Sequence, residues 1–103
     1  MPAEIRWSPQ AREDLTEITR FISRDSPAHA EAVLRKIEAR VENLAVFPLT
    51  GHVVPEYGRE NLREVAVFNY RVIYRPRRDR INVIGVIHGA RLLRKALRGR
   101  SRA

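Results

Sequence analysis

Cysteine is absent from the 103 residues, so disulfides and thiolate chemistry are both excluded. Long apolar runs are absent too: no stretch approaches the ~20 residues that a membrane helix needs. The opening "MPAEIRW" lacks the apolar segment of a secretory leader. A cytoplasmic protein with no membrane partner is therefore the expectation. Glycine-rich phosphate loops are missing. The three histidines, His29, His52 and His88, are far apart and lack carboxylates at ligand spacing, so neither a metal site nor a cofactor is expected. Ser8 and Ser26 stand where helix caps belong, which makes them poor candidates for nucleophiles.

Positive charge is what the chain has in excess, and it is placed unevenly. Residues 1–58 carry seven basic and nine acidic side chains, a net of −2, whereas residues 59–103 carry thirteen and three, a net of +10. Nearly all of that excess is arginine, whose planar fork suits phosphate and carboxylate. An anionic partner for the second half follows, either nucleic acid or an acidic protein segment; a solvated arginine surface is the plainer alternative.

At 103 residues and 44% apolar, the chain suits one domain with one core, over 1–103, with a frayed basic tail at 98–103. "EIRW" (4–7) is a short strand candidate. Ser8 caps and Pro9 opens a helix over 9–24, with Glu13 and Asp14 near the positive end of its dipole. Its apolar stripe is Ala11, Leu15, Ile18 and Ile22. Ser26 and Pro27 repeat the signal for a second helix to about 46, with Ala30, Val33, Leu34, Ile37, Val41 and Leu44 as its stripe. A loop of about three residues folds the pair into an antiparallel hairpin, and stripes this wide need a sheet to lie on. "PLTGHVVPEYGRE" (48–60) is ordered-turn chemistry rather than linker. "LREVAVF" (62–68), "YRVIYR" (70–75) and "INVIGVIH" (81–88) read as an antiparallel meander, the last one central because it is apolar on both faces. "ARLLRKALR" (90–98) is a short basic helix. The fold class is α+β: a short N-terminal strand, an α-hairpin on one face of a three- to four-stranded antiparallel sheet, and arginines on the opposite face.

Arg63, Arg71 and Arg75 fall on adjacent strands, and His88 and Arg91 follow at the end of the last. Such a concave basic face can grip an RNA backbone and stabilise charge growing on phosphate, provided that a base and an acid move the protons. His88 can serve as one of these, or simply as a hydrogen-bonding residue at a strand end. Arg63 fits equally an ion pair that locks the hairpin, to Glu56 or to neighbours of Glu64.

The ordered set "AREDLTEITRFI", "SPAHAEAVLRKI", "LAVFPLTGHVVPE", "LREVAVFNYRVIYR" and "INVIGVIHGAR" resembles the RelE/ParE toxin superfamily, on its ParE side, from about residue 4 to 92. The resemblance implies a type II toxin–antitoxin system concerned with plasmid stabilisation and growth inhibition. Its expected partners are an acidic, partly disordered ParD-like antitoxin in a higher-order hetero-oligomer, and DNA gyrase as the inhibited target. The alternatives are a RelE-like, ribosome-dependent mRNA endonuclease and an inactive toxin fold that only binds antitoxin and co-represses its operon. For a nuclease, Arg63 and Arg91 match positions where RelE-like enzymes hold catalytic arginines, and His88 is the third candidate. The basic pair of such enzymes would fall at Val54 and Glu56 and their C-terminal tyrosine at Leu97, so the proton-transfer groups are missing. Arg63, Arg71, Tyr74, Arg75, Arg91 and Arg94 are the residues expected to bind antitoxin or target. An acidic amphipathic helix is expected in an apolar groove between hairpin and sheet, flanked by arginines.

Overall fold

The computed structural model describes residues 2–100. The chain order is β1 (Glu4–Trp7), α1 (Pro9–Ser23), α2 (Pro27–Leu44), β2 (His52–Val53), β3 (Arg63–Val67), β4 (Tyr70–Pro76), β5 (Arg80–His88) and α3 (Leu93–Ala96). Both long helices start as the sequence dictates. Ser8 accepts from the Ala11 amide at 3.0 Å and Ser26 from the His29 amide at 3.1 Å, each with proline at the first helical position. Glu13 and Asp14 lie beyond the first turn of α1, so their expected role at the dipole does not hold. None of the described helices is long and apolar enough to cross a membrane.

The sheet has five strands in the order β1-β5-β4-β3-β2, and it is mixed rather than antiparallel. The meander β3-β4-β5 is antiparallel, as its short turns require. β1 instead runs parallel to β5, pairing Glu4 with Arg80 and Trp7 with Val83. No tight turn joins β1 to its neighbour, so no local rule sets its direction; the whole helical hairpin lies between them. Within the segment expected as an ordered loop, β2 is two residues that pair with β3 through His52–Glu64 and Val53–Arg63. β5 is interior and buried on both faces, but β4 holds the middle of the five.

The hairpin covers one face of the sheet. Val33, Ile37, Val41 and Leu44 of α2 and Ala11 of α1 bury against Val65, Val72, Tyr74, Val83 and Val86. The other face is not simply an arginine surface. Ile73, Ile84 and Ile87 form a second core there with Val54, Leu62, Leu93 and Leu97. The four-residue α3 is too short to persist alone. Its buried Leu93 and the adjoining Leu97 hold it down, each contributing about 1.5–3 kcal/mol. Arginines occupy the margins of this second layer.

The tail expected to fray is anchored as far as residue 100; residues 101–103 lie outside the described residues. β1 stops at Trp7, so the outer edge of β5 beyond Val83 has no strand partner. Side chains fill that role. The Asp14 carboxylate accepts from the Val86 amide at 2.9 Å, and the Arg100 guanidinium donates to the Ile84 carbonyl at 3.1 Å. The two also join each other, at 2.6 and 3.2 Å. A charged pair thus completes the hydrogen bonding of a truncated sheet edge.

Candidate functional site

Side-chain alternation separates the residues that the sequence placed together. Arg63 pairs in register with Tyr74, and Val65 with Val72, so all four face the hairpin. Glu64 pairs with Ile73 and Ala66 with Arg71, on the α3 side. Arg63 therefore lies on the opposite face from Arg71 and Arg75. The expected single basic face of Arg63, Arg71 and Arg75 does not exist.

Arg63 is 13% exposed, and its guanidinium is fully engaged. It donates to the Glu60 carboxylate at 2.6 Å, to the Glu60 carbonyl at 3.0 Å and to the Gly51 carbonyl at 3.0 Å. It locks the loop onto the sheet, through Glu60 rather than through Glu56. Beside it Tyr74 is 0% exposed, which removes it from any surface that binds a partner. Its hydroxyl donates to the Pro48 carbonyl at 2.7 Å and accepts from the Gly51 amide at 3.0 Å. Burial pushes its pKa up. This explains the "FPLTG" motif. A Cβ at Gly51 would sit 2.6 Å from both the Glu64 carbonyl oxygen and the Tyr74 hydroxyl, so only glycine admits them.

On the α3 side Arg71 is held by two carboxylates. Its guanidinium donates twice to Glu56, each at 2.8 Å, and also binds Glu64, which in turn contacts His52 at 3.1 Å. The Arg71 hydrogen bonds hold the Glu56 carboxyl down at about 2, and those from Glu56 and then Glu64 raise Arg71 further. Glu56 stands where nuclease-type relatives would carry a base, and here it neutralises an arginine. Arg94 donates to the Glu56 carbonyl and lies 4.8 Å over the Tyr57 ring. Arg75 is buried, which lowers its pKa, with further contributions from Arg77 and Arg59. The sequence offers Glu56 as a partner for Arg63 rather than for Arg71, and it does not single out Tyr57 or Glu64. Only the "PE" spacing before the meander hinted at this cluster.

His88 and Arg91 belong to neither cluster. They line an open groove of about 240 Å³ between α1 and the end of β5, with Asp14, Glu17, Ile18, Phe21, Tyr70 and Val86. The His88 ring stands edge-on to Tyr70 at 5.4 Å, and its Nδ1 accepts from the Ala90 amide at 3.0 Å. This is the expected apolar groove between hairpin and sheet, with one correction. Arg91 flanks one side, but Asp14 and Glu17 flank the other, so arginine does not surround it. His88 pairs with Tyr70 and Arg63 with Tyr74, four β4 positions apart, or about 13 Å. Arg63, His88 and Arg91 do not converge on one phosphate-sized site.

The family model described as the ParE toxin of the type II toxin–antitoxin system parDE matches residues 5–93. The chain belongs to the ParE toxin family. It is 33% identical over 87 residues to the protein named "Putative toxin Y4kP" of Sinorhizobium fredii, covering 82% of this chain and 85% of that one. Two solved structures share the fold. A chain of the chromosomal ParDE system of P. aeruginosa superposes with a TM-score of 0.69 at 17% identity, covering 84% of this chain and 95% of that one. A chain of the toxin–antitoxin complex RelBE2 of Mycobacterium tuberculosis does so with a TM-score of 0.59 at 24% identity, covering 85% and 99%. The ParE resemblance in the sequence thus holds, and the chain is a type II toxin of the ParE family.

Proposed function

We propose that this ParE-family toxin inhibits DNA gyrase by contact, so that cleaved DNA persists, and that it does not cleave messenger RNA. The observation that carries this reading is the scattering of the nuclease candidates. Arg63 is tied down on the hairpin face, while His88 lies about 13 Å further along the sheet, in the groove that Arg91 also lines. Arg71, on the other face, is matched by Glu56 and Glu64. Phosphoryl transfer needs cationic groups and a proton shuttle around one phosphate, and general acid–base transfer alone is worth roughly 10²–10⁴-fold.

A cognate antitoxin, ParD-like and partly disordered, neutralises the toxin in a higher-order hetero-oligomer. Its amphipathic segment seats apolar side chains against Ile18, Phe21, Tyr70 and Val86 and turns an acidic residue to Arg91. Growth inhibition follows when the toxin is freed of its antitoxin, and plasmid stabilisation follows from that dependence.

Purified gyrase and a supercoiled plasmid test the reading. Linear DNA accumulates when the toxin is added and does not when toxin and antitoxin are premixed. Ribosomes translating a defined message leave it intact by primer extension. Cleaved message, lost in Arg63→Ala or Arg91→Ala, would instead establish the endonuclease. Unchanged growth on induction without antitoxin would leave an inert binding fold.

A further inference from the structure

Ion pairing leaves positive charge over on the α3 side. Arg63, Arg71 and Arg100 are matched by Glu60, by Glu56 with Glu64, and by Asp14. Arg59 and Arg77 are exposed and enter no ion pair among the described residues, and the exposed Arg94 shares the Glu56 carboxylate electrostatically with Arg71. Arg77 stands on the turn between β4 and β5, and Arg59 and Arg94 gather about Tyr57. Arg94 lies over its ring, and Arg59 shares a small hollow with it, along with Leu62, Arg75, Ile84 and Leu97. Arg59 and Arg77 both act electrostatically on the buried Arg75. Like charges held this close repel one another, and an anion laid across them relieves the repulsion.

The chemistry of that anion can be narrowed. The hollow holds about 40 Å³, room for roughly one water and far too little for a nucleobase or a leucine side chain. A protein partner needs a buried apolar anchor, and this hollow has no room for one. The exposed Phe21, Val46, Phe47, Leu49 and Phe68 belong to α1, the segment after α2 and the β3–β4 turn, and Leu92 is, among the described residues, the one exposed large apolar residue that borders α3. What remains is a shallow guanidinium surface without base readout, which matches a phosphodiester backbone.

We propose that Arg59 and Arg94, beside Tyr57, with Arg77 on the β4–β5 turn, grip the backbone of duplex DNA without regard to base sequence. This goes beyond inhibition of a protein target, since the toxin itself touches nucleic acid, and it is tested with no gyrase present.

Fluorescence anisotropy of a short labelled DNA duplex with the full-length toxin measures it. Three phosphate contacts give a slope of log K against log salt of about −3, and each single Arg→Gln change makes it shallower by about 1. The triple variant R59Q/R77Q/R94Q, with unchanged far-UV circular dichroism, loses most of the binding at low salt. R12Q/R20Q on α1 keeps the wild-type slope. Absence of duplex binding at low salt overturns the proposal, and so does a triple variant that binds like wild type. Polyglutamate bound as tightly and with the same arginine dependence overturns it in favour of an acidic protein. Tighter binding of duplex RNA than of duplex DNA overturns the assignment to DNA.

Discussion

Replacing Asp14 by alanine removes one carboxylate and leaves two groups without it. The Val86 amide loses its acceptor at a sheet edge that has no strand beside it. The Arg100 guanidinium, 14% exposed, loses the anion that brought it there. An orphaned buried donor costs about 1–3 kcal/mol. Breaking a fully buried ion pair from one side costs roughly 3–5 kcal/mol, and this pair is slightly open to solvent. Together the expected loss is about 3 kcal/mol, a large part of the ~5–15 kcal/mol that holds a domain of this size. At ~4–8 °C per kcal/mol, Tm should fall by roughly 12–24 °C. Urea denaturation gives the free energy, and hydrogen exchange at Val86 shows whether the edge opens locally. The cycle with Arg100→Ala should return a coupling above about 1 kcal/mol, since the two side chains touch. A loss in Asp14→Ala below ~0.5 kcal/mol, or strict additivity with Arg100→Ala, would refute the claim that this pair stands in for the missing strand.

Two further outcomes follow from the site. The Glu56 carboxyl titrates at about 2 in the folded chain, against an ordinary 4.5, because Arg71 hydrogen-bonds it. Its stabilisation is therefore complete above pH 4.5 and is lost as the pH falls through about 2. Glu56→Gln should be less stable than wild type at neutral pH and should converge with it across that window in acid titrations followed by circular dichroism. A gap that is constant with pH would exclude the ion pair as its source. Phe68 holds a left-handed φ of 54° while 60% exposed, a conformation that costs a bulky residue about 1–2 kcal/mol. Phe68→Asn should raise the urea midpoint by about 1 kcal/mol equivalent. A lower midpoint would mean that the ring's edge contact with His29 outweighs the strain.

Local chemistry was legible in the chain because it acts over three or four residues. The serine caps, the proline starts and the helical stripes need no neighbour beyond the next turn, and the structure keeps them. The order of motifs sufficed for the family. The surplus of arginine after residue 58 was visible too, though not how it divides between two faces.

Tertiary structure decided everything that joins distant segments. β1 lies parallel to β5 across an intervening helical hairpin and three strands, so no turn dictates its direction. Asp14 meets Arg100 across 86 positions, a distance over which sequence carries no periodic signal. Register was decisive at the candidate site: one residue of alternation puts Arg63 against Tyr74 and Arg71 against Glu56, on opposite sides of a sheet. Composition fixes how many charges a chain carries, but strand register fixes which of them share a face.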